Sequence, residues 1–206
     1  MDNKTGGQLL SGYANHCIEA GVDEAGRGCY AGPVVAAAVI LPHGFFHPLL
    51  NDSKKLKPQE RFLLRDVIEK DAISLAYYMV DHKEIDRINI LQATFMAMHG
   101  AIAQLAPKPG LLLIDGNRFK PYQGIPHNCI IGGDGKYASI AAASIIAKTY
   151  RDELMRRLHE KYPEYGWDKN KGYGTSFHRQ AIEAFGLCEF HRKSFGIGPG
   201  QLKLGF

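Results

Sequence analysis

Four acids in this chain share a setting that suits chemistry on a charged substrate: each stands where a short apolar run ends, beside glycine. Asp23 and Glu24 follow the run Cys17 to Val22 and precede Gly26-Arg27-Gly28. Asp115 closes Leu111-Leu112-Leu113-Ile114 and precedes Gly116-Asn117, while Asp134 lies between Gly133 and Gly135. Adjacent carboxylates repel, so a fold that keeps Asp23 next to Glu24 has a use for at least one of them. Hard oxygen donors suit magnesium or manganese. If the four converge, they form an oxygen-rich cage for two divalent ions ~4 Å apart, an arrangement suited to in-line displacement at a phosphodiester. Taken alone, an Asp-Glu pair beside glycines is better read as a solvated turn. The other acids lie mostly in amphipathic helices or polar loops, where solvation or pairing one turn apart explains them. Asp52, beside Lys54 and Lys55, reads as a turn or helix-capping residue.

Competing chemistries lack their residues. No Ser-His-Asp order or GxSxG elbow is present, and the phosphate-binding string GxxxxGK[ST] is missing. The four cysteines form no CxxC pair and read as free thiols, mostly buried. The nine histidines are scattered, with His178 and His191 thirteen residues apart, and each is expected as a solvated or capping residue, so zinc is not expected.

The elements that must position the acids can be read from periodicity. Residues 1–14 read as a loose tail, Cys17–Val22 as a strand, Gly32–Leu41 as a strand buried on both faces, and Pro58–Lys70 as a helix with proline in its first turn. Ile73–Val80 is a third strand, so the first three form an antiparallel meander. A helix is expected over Asn89–Leu105 with Asn89 as its cap. Strands at Leu111–Asp115 and Asn128–Ile131 follow, then a long helix over Tyr137–His159 whose small residues allow close packing on the sheet. Lys169–Thr175 reads as a Gly-rich basic loop, Ser176–Phe185 as a helix and residues 194–206 as an irregular tail. Strands in succession, then alternating with helices, predict an α/β layered domain with a mixed sheet, and acids at strand carboxyl ends are where such sheets build sites.

With 206 residues, one domain or one domain with an appendage is expected. The start of the chain does not read as a signal peptide and no stretch is apolar enough to span a membrane, so a cytoplasmic location is expected. The net charge is +4. Residues 1–147 hold 14 Lys/Arg and 14 Asp/Glu, whereas residues 148–206 hold 11 and 7. A neutral body with a basic end suits a polyanion, although charge alone weighs this evenly against a generic surface imbalance.

Eight stretches in order along the chain resemble the ribonuclease HII family. They are Gly21-Val22-Asp23-Glu24-Ala25-Gly26-Arg27-Gly28, Asn51 to Leu56, Ile88 to Thr94, Ile114-Asp115-Gly116-Asn117, Gly133-Asp134, Ala142 to Lys148, Lys171-Gly172-Tyr173-Gly174-Thr175, and His191-Arg192-Lys193-Ser194-Phe195. The resemblance implies a ribonuclease H-like mixed β-sheet flanked by helices over residues 15–160, with a C-terminal helical substrate-binding extension over 161–206. It implies cleavage of the RNA strand of RNA–DNA hybrids and nicking of duplex DNA 5′ of a single embedded ribonucleotide. Magnesium or manganese is the implied cofactor, Asp23, Glu24, Asp115 and Asp134 the catalytic acids, and 3′-hydroxyl and 5′-phosphate the product ends. No membrane association and no required protein partner are expected, and the chain is expected to be a monomer. The related ribonuclease HIII lacks an arginine in the middle of the Gly-Arg-Gly turn and usually carries an extra N-terminal domain, so Arg27 and the short N-terminal segment favour HII. A silent hybrid-binding module is disfavoured because all four acids are present.

Only a 2′-hydroxyl separates RNA from DNA at a given sugar. Backbone groups exposed by a glycine turn can hold it, and the resemblance gives Gly26-Arg27-Gly28 this task, with Arg27 also able to reach a phosphate. Tyr173, between glycines, is expected to stack on a nucleotide; in the family the matching tyrosine helps select an RNA-to-DNA junction. Lys54, Lys55, Lys148, Lys171, Arg192 and Lys193 are candidate phosphate contacts, each equally readable as a solvated charge. Asn117 either orients Asp115 or closes a turn.

Overall fold

The computed structural model of the chain describes residues 9–14, 17–50 and 56–198. Ten main elements follow in order: β1 (Glu19–Ala25), β2 (Val34–Ile40), α1 (Pro58–Asp71), β3 (Ser74–Val80), α2 (His82–Ile102), β4 (Leu111–Asp115), β5 (His127–Ile130), α3 (Ala138–Lys161), α4 (Trp167–Asn170) and α5 (Ser176–Phe185). The strands form one mixed sheet in the order β3-β2-β1-β4-β5. β1, β2 and β3 pair antiparallel, and β4 and β5 add parallel to β1. The expected mixed α/β sheet is therefore present, with α1 inserted between β2 and β3 of the meander.

Side-chain alternation assigns the two faces. Ala20, Val22, Ala36, Ala38, Leu112 and Ile114 pack under α2. Val35, Ala37 and Val39 face α1 and α3 on the other side. β2 is buried along its whole length, as its unbroken apolar sequence requires of a strand covered on both faces. α3 lies so close to β1 that a Cβ at Gly21 would fall 2.1 Å from the Ser139 carbonyl carbon.

Several elements differ from the sequence expectation. β1 runs on to Ala25, so Asp23 and Glu24 lie inside the strand, opposite Ala37 and Ala36. Three consecutive alanines in β2 leave room for acids there. α2 begins seven residues before Asn89, capped by Asp81, whose carboxylate accepts the Glu84 N–H at 2.8 Å. Asn89 nevertheless caps: it sits in the helix at φ 68°, and its Oδ1 accepts the N–H groups of Leu91 and Gln92 at 3.0 and 3.1 Å. Two short helices thus meet end to end at a capping residue.

Residues 9–14 are also tied down. Leu10 bridges Tyr137, and the Glu19 carboxylate accepts the N–H groups of Tyr13 and Ala14. After α3 the chain builds its own apolar cluster around Tyr165, Trp167 and Ile182, seated on Ala31, Met155 and Leu158. Part of the expected basic loop is helical there, as α4. Among the described residues no helix is long and apolar enough to cross a membrane.

Candidate active site

The register of β1 and β4 brings two acids together. Val22 faces Ile114 across the parallel pair, so the next residues, Asp23 and Asp115, stand side by side on the α3 face. The third, Glu24, follows on β1. The Gly133 N–H donates to Asp115 Oδ1 at 2.7 Å and the Glu24 N–H to Asp23 Oδ1 at 2.7 Å. Ser144 of α3 donates to Asp23 from above. Arg27 pairs with Glu24 at 3.2 Å while its side chain stays half exposed.

Asp23, Glu24 and Asp115 line a cleft of about 240 Å³ together with Gly26, Arg27, Gly28, Ser144, Lys148 and Tyr173. Asp134 is buried in a short 3-10 turn, one residue past Gly133, and is not on the cleft lining. Asn117 is exposed in the turn after β4. Lys171 is half-buried, and its ammonium donates to the Asp168 carbonyl. Lys54 and Lys55 lie outside the described residues.

Burial raises the Asp23 carboxyl well above the usual carboxylate range, with the Glu24 and Asp115 charges adding to it. Glu24 is also raised, mainly by burial, with Arg27 pulling the other way. Desolvated, mutually repelling carboxylates of hard oxygen donors fit a divalent cation, which would relieve both costs. Among the described residues no three His, Cys, Asp or Glu side chains already stand in ligand geometry, so the fit rests on the chemistry of the donors.

Arg192 requires a correction. It is completely buried and not exposed to a phosphate. Its Nε donates to the Gly32 carbonyl and its Nη1 to the Arg27 carbonyl, both at 2.9 Å. Arg151, which sequence reasoning passed over, is its counterpart: its guanidinium donates to the carbonyls of Pro33, Lys171 and Ala31 at 3.0, 2.8 and 3.1 Å. The two arginines clamp the turn carrying Arg27 to the loop carrying Tyr173. Gly26 is at φ +93°, and a Cβ there would meet Arg151 Nε at 2.1 Å, so glycine is needed on both grounds. The signal for Arg151 was available: it lies four residues from both Ala147 and Met155, on the buried stripe of α3.

The histidine expectation fails at three positions, the first being His82, which is buried at the start of α2. His178 and His191 are completely buried and lie 3.1 Å apart, and Cys188 Sγ is 3.2 Å from His191. Both stack into the aromatic cluster around Trp167 and Tyr165. The cysteines are free, but only Cys29 is fully buried, and Cys129 is exposed.

Carboxylates on adjacent central strands of a mixed sheet, in one cleft with a backbone turn and an exposed aromatic ring, define a nuclease built on the ribonuclease H plan. A family model described as Ribonuclease HII matches residues 20–197, and the chain belongs to that family as a type 2 ribonuclease H. It is 60% identical over 200 residues to the ribonuclease HII of Bacteroides thetaiotaomicron, covering 96% of this chain and 100% of the relative. Among solved structures, ribonuclease HII of Archaeoglobus fulgidus, in a complex with PCNA, is similar with a TM-score of 0.73 at 26% identity, over 90% of this chain and 97% of that one. Bst-RNase HIII in complex with Mn2+ shares the fold, with a TM-score of 0.65 at 20% identity over 91% of this chain and 67% of that one.

Proposed function

We propose that this enzyme hydrolyses the RNA strand of RNA–DNA hybrids and nicks duplex DNA on the 5′ side of a single embedded ribonucleotide. The observation that carries this is the shared cleft: Asp23, Glu24 and Asp115 face the Gly26-Arg27-Gly28 turn and Tyr173. A site for hydrolysis alone needs only the acids. The turn and the ring add a test of the sugar and of its neighbour.

Asp23, Glu24, Asp115 and Asp134 are assigned to hold Mg2+ or Mn2+, two ions in the full reading, which supply Lewis acidity to the phosphate and to the attacking water. Burial and crowding raise the Asp23 and Glu24 carboxyls, and cation charge would offset that cost. The turn offers backbone donors and acceptors to the 2′-hydroxyl. Arg27, free on one side, is placed to reach a neighbouring phosphate. Tyr173, 44% exposed, supplies a stacking surface, and Lys148 on the cleft wall draws the backbone in. Product ends of 3′-hydroxyl and 5′-phosphate follow if water attacks phosphorus in line with the bridging 3′-oxygen: a P–O bond to the water forms as the P–O3′ bond breaks, the 3′-oxygen leaves as a hydroxyl, and the phosphate stays on the downstream 5′-oxygen.

The test is incubation of the chain alone with a long RNA–DNA hybrid, with Mg2+, with Mn2+ and with chelator. Metal-dependent cleavage to 3′-hydroxyl ends is expected. It would also support the expectation that no protein partner is required, which stands beside an archaeal relative found in complex with PCNA. Cleavage unaffected by chelator would overturn the metal assignment.

A further inference from the structure

A buried chain of contacts outside the acidic cleft has no part in the chemistry so far. The Trp167 indole N–H is 3.1 Å from His178 Nε2, which is 3.1 Å from His191 Nε2. His178 Nδ1 is 3.0 Å from the Tyr173 carbonyl oxygen. At the other end, His191 Nδ1 is 3.0 Å from the Cys188 N–H nitrogen and 3.2 Å from its thiol.

Taking the carbonyl as acceptor and the indole as donor, these contacts point to one arrangement of protons, in which two donors share the single lone pair of His178 Nε2. A carbonyl only accepts, so His178 carries its proton on Nδ1. The indole only donates, so His178 Nε2 must be the bare nitrogen. His191 must then donate from Nε2, which leaves its Nδ1 to accept from the Cys188 backbone and thiol. Both rings are neutral, and an added proton on either would set donor against donor. Burial lowers both histidines, His191 to about 4.

The anchored group is the peptide of Tyr173, whose carbonyl also accepts the Thr175 N–H at 2.8 Å, so His178 adds the side-chain half of a two-point hold. The Tyr173 loop lies flush on the segment after β1: the Tyr30 N–H donates to the Gly172 carbonyl at 2.7 Å, and Cys29 bridges Tyr173. A Cβ at Gly174 would fall 2.3 Å from the Tyr30 ring. On the other side, the residue after His191 is Arg192, which holds the Arg27 carbonyl. We propose that His178 is a positioning residue for recognition of an embedded ribonucleotide: held in the Nδ1–H tautomer by Trp167 and by His191 with Cys188, it fixes the Tyr173 carbonyl and so aims the Tyr173 ring into the cleft. This rests on the assignment of Tyr173 as the nucleotide-stacking residue.

The tautomers are measurable by nitrogen-resolved NMR of the histidine side chains in the full chain at neutral pH. His178 is expected as Nδ1–H and His191 as Nε2–H; the opposite tautomer or an imidazolium at either would overturn the lock. Single-turnover cleavage of a duplex with one ribonucleotide, relative to a long hybrid, then tests the consequence. His178→Phe keeps ring volume without a donor and should lower that ratio about tenfold, in the same direction as Tyr173→Ala. His178→Asn, whose amide nitrogen falls near the Nδ1 place, should restore most of it. If His178→Phe does not fold, His178→Gln decides, since its amide serves Trp167 and not the Tyr173 carbonyl; its ratio should fall. A folded His178→Phe or His178→Gln with the parent ratio would overturn the proposal. Should Tyr173→Ala itself keep the parent ratio, the stacking assignment fails and takes the specificity claim with it, while the tautomers still decide the lock.

Discussion

Asp23 combines the two features that mark a functional carboxylate: a raised pKa and a cost to the fold. Because its folded pKa lies above its unfolded one, the metal-free protein binds that proton more tightly than the unfolded chain does. Stability at this position is therefore greatest at low pH and is lost as pH rises through the raised value. At neutral pH in chelator, Asp23→Asn should stabilise the protein by roughly 1 kcal/mol, since Asn keeps the acceptor for the Glu24 N–H and removes the repulsion. The same variant should reduce cleavage by at least about a thousandfold. Thermal melts and single-turnover rates check both; a lower melting temperature would mean that the carboxylate is structural. Adding Mn2+ to the parent should raise its melting temperature more at pH 8 than at pH 5, where protons compete for the oxygens. Asp134→Asn should abolish cleavage while leaving hybrid binding largely intact, and full activity would remove Asp134 from the site. The meeting of Asp23, Glu24 and Asp115 was legible in sequence because each closes an apolar run beside a glycine, whereas Asp134 lies in a short turn and off the cleft lining. Ser144 was not legible: a serine in an alanine-rich helix carries no sign of which carboxylate it meets.

Among the elements, the clearest lesson lies in the arginines. Arg192 sits in a basic stretch and reads as a phosphate contact, yet its Nε and Nη1 donate to carbonyls inside the protein and its Nη2 is buried with them. The two roles separate experimentally. Arg192→Met should lower stability in urea by about 2–4 kcal/mol by leaving the Gly32 and Arg27 carbonyls unpaired, without reducing the salt dependence of hybrid binding. A slope reduced by about one, with stability intact, would return Arg192 to the phosphate backbone. The first turns of α2 were missed for a related reason. Asp81 and Asp86 look like solvated acids, but Asp81 caps the helix, and Asp86 accepts the Lys193 and Ser194 N–H groups at 3.0 and 2.9 Å. Long-range pairing of that kind leaves no local periodicity. β4 and α5, whose ends are set by local apolar pattern and a cap, were readable to the residue.

Across the whole molecule, charge and acid sensitivity follow from what is buried. Two of the 11 Lys/Arg in residues 148–206 are Arg151 and Arg192, both buried, so the basic end is weaker at its surface than its sequence implies. A few phosphate contacts should weaken hybrid binding roughly tenfold to a hundredfold from about 50 to about 200 mM salt; binding insensitive to salt would contradict this. His191 is lowered to about 4, chiefly by burial, with His178 and His82 adding to it and the Cys188 backbone opposing. Its folded pKa lies below its unfolded value, so the unfolded chain binds more protons between the two. Stability should be full above about pH 6.5 and fall towards pH 4, by on the order of 3 kcal/mol from this group. His191→Gln should flatten that acid limb in urea melts, and an unchanged limb would assign it to other groups. The meander of the first three strands and the doubly covered β2 were visible in sequence, since apolar runs are local; the addition of β4 and β5 to β1 was not. The buried polar network that ties the C-terminal cluster to the Gly-Arg-Gly turn was not, because it exists only once distant segments meet.

The most direct test is the fate of a DNA duplex carrying one ribonucleotide, incubated with Mg2+ and separately with Mn2+, beside an all-DNA duplex and a chelator control. A single nick on the 5′ side of the ribonucleotide, absent from both controls, is the result expected of a cleft that joins three carboxylates to the Gly-Arg-Gly turn and Tyr173. Cleavage of long hybrids with the single-ribonucleotide duplex left intact would contradict it, leaving a hybrid nuclease whose turn and tyrosine do not read the junction.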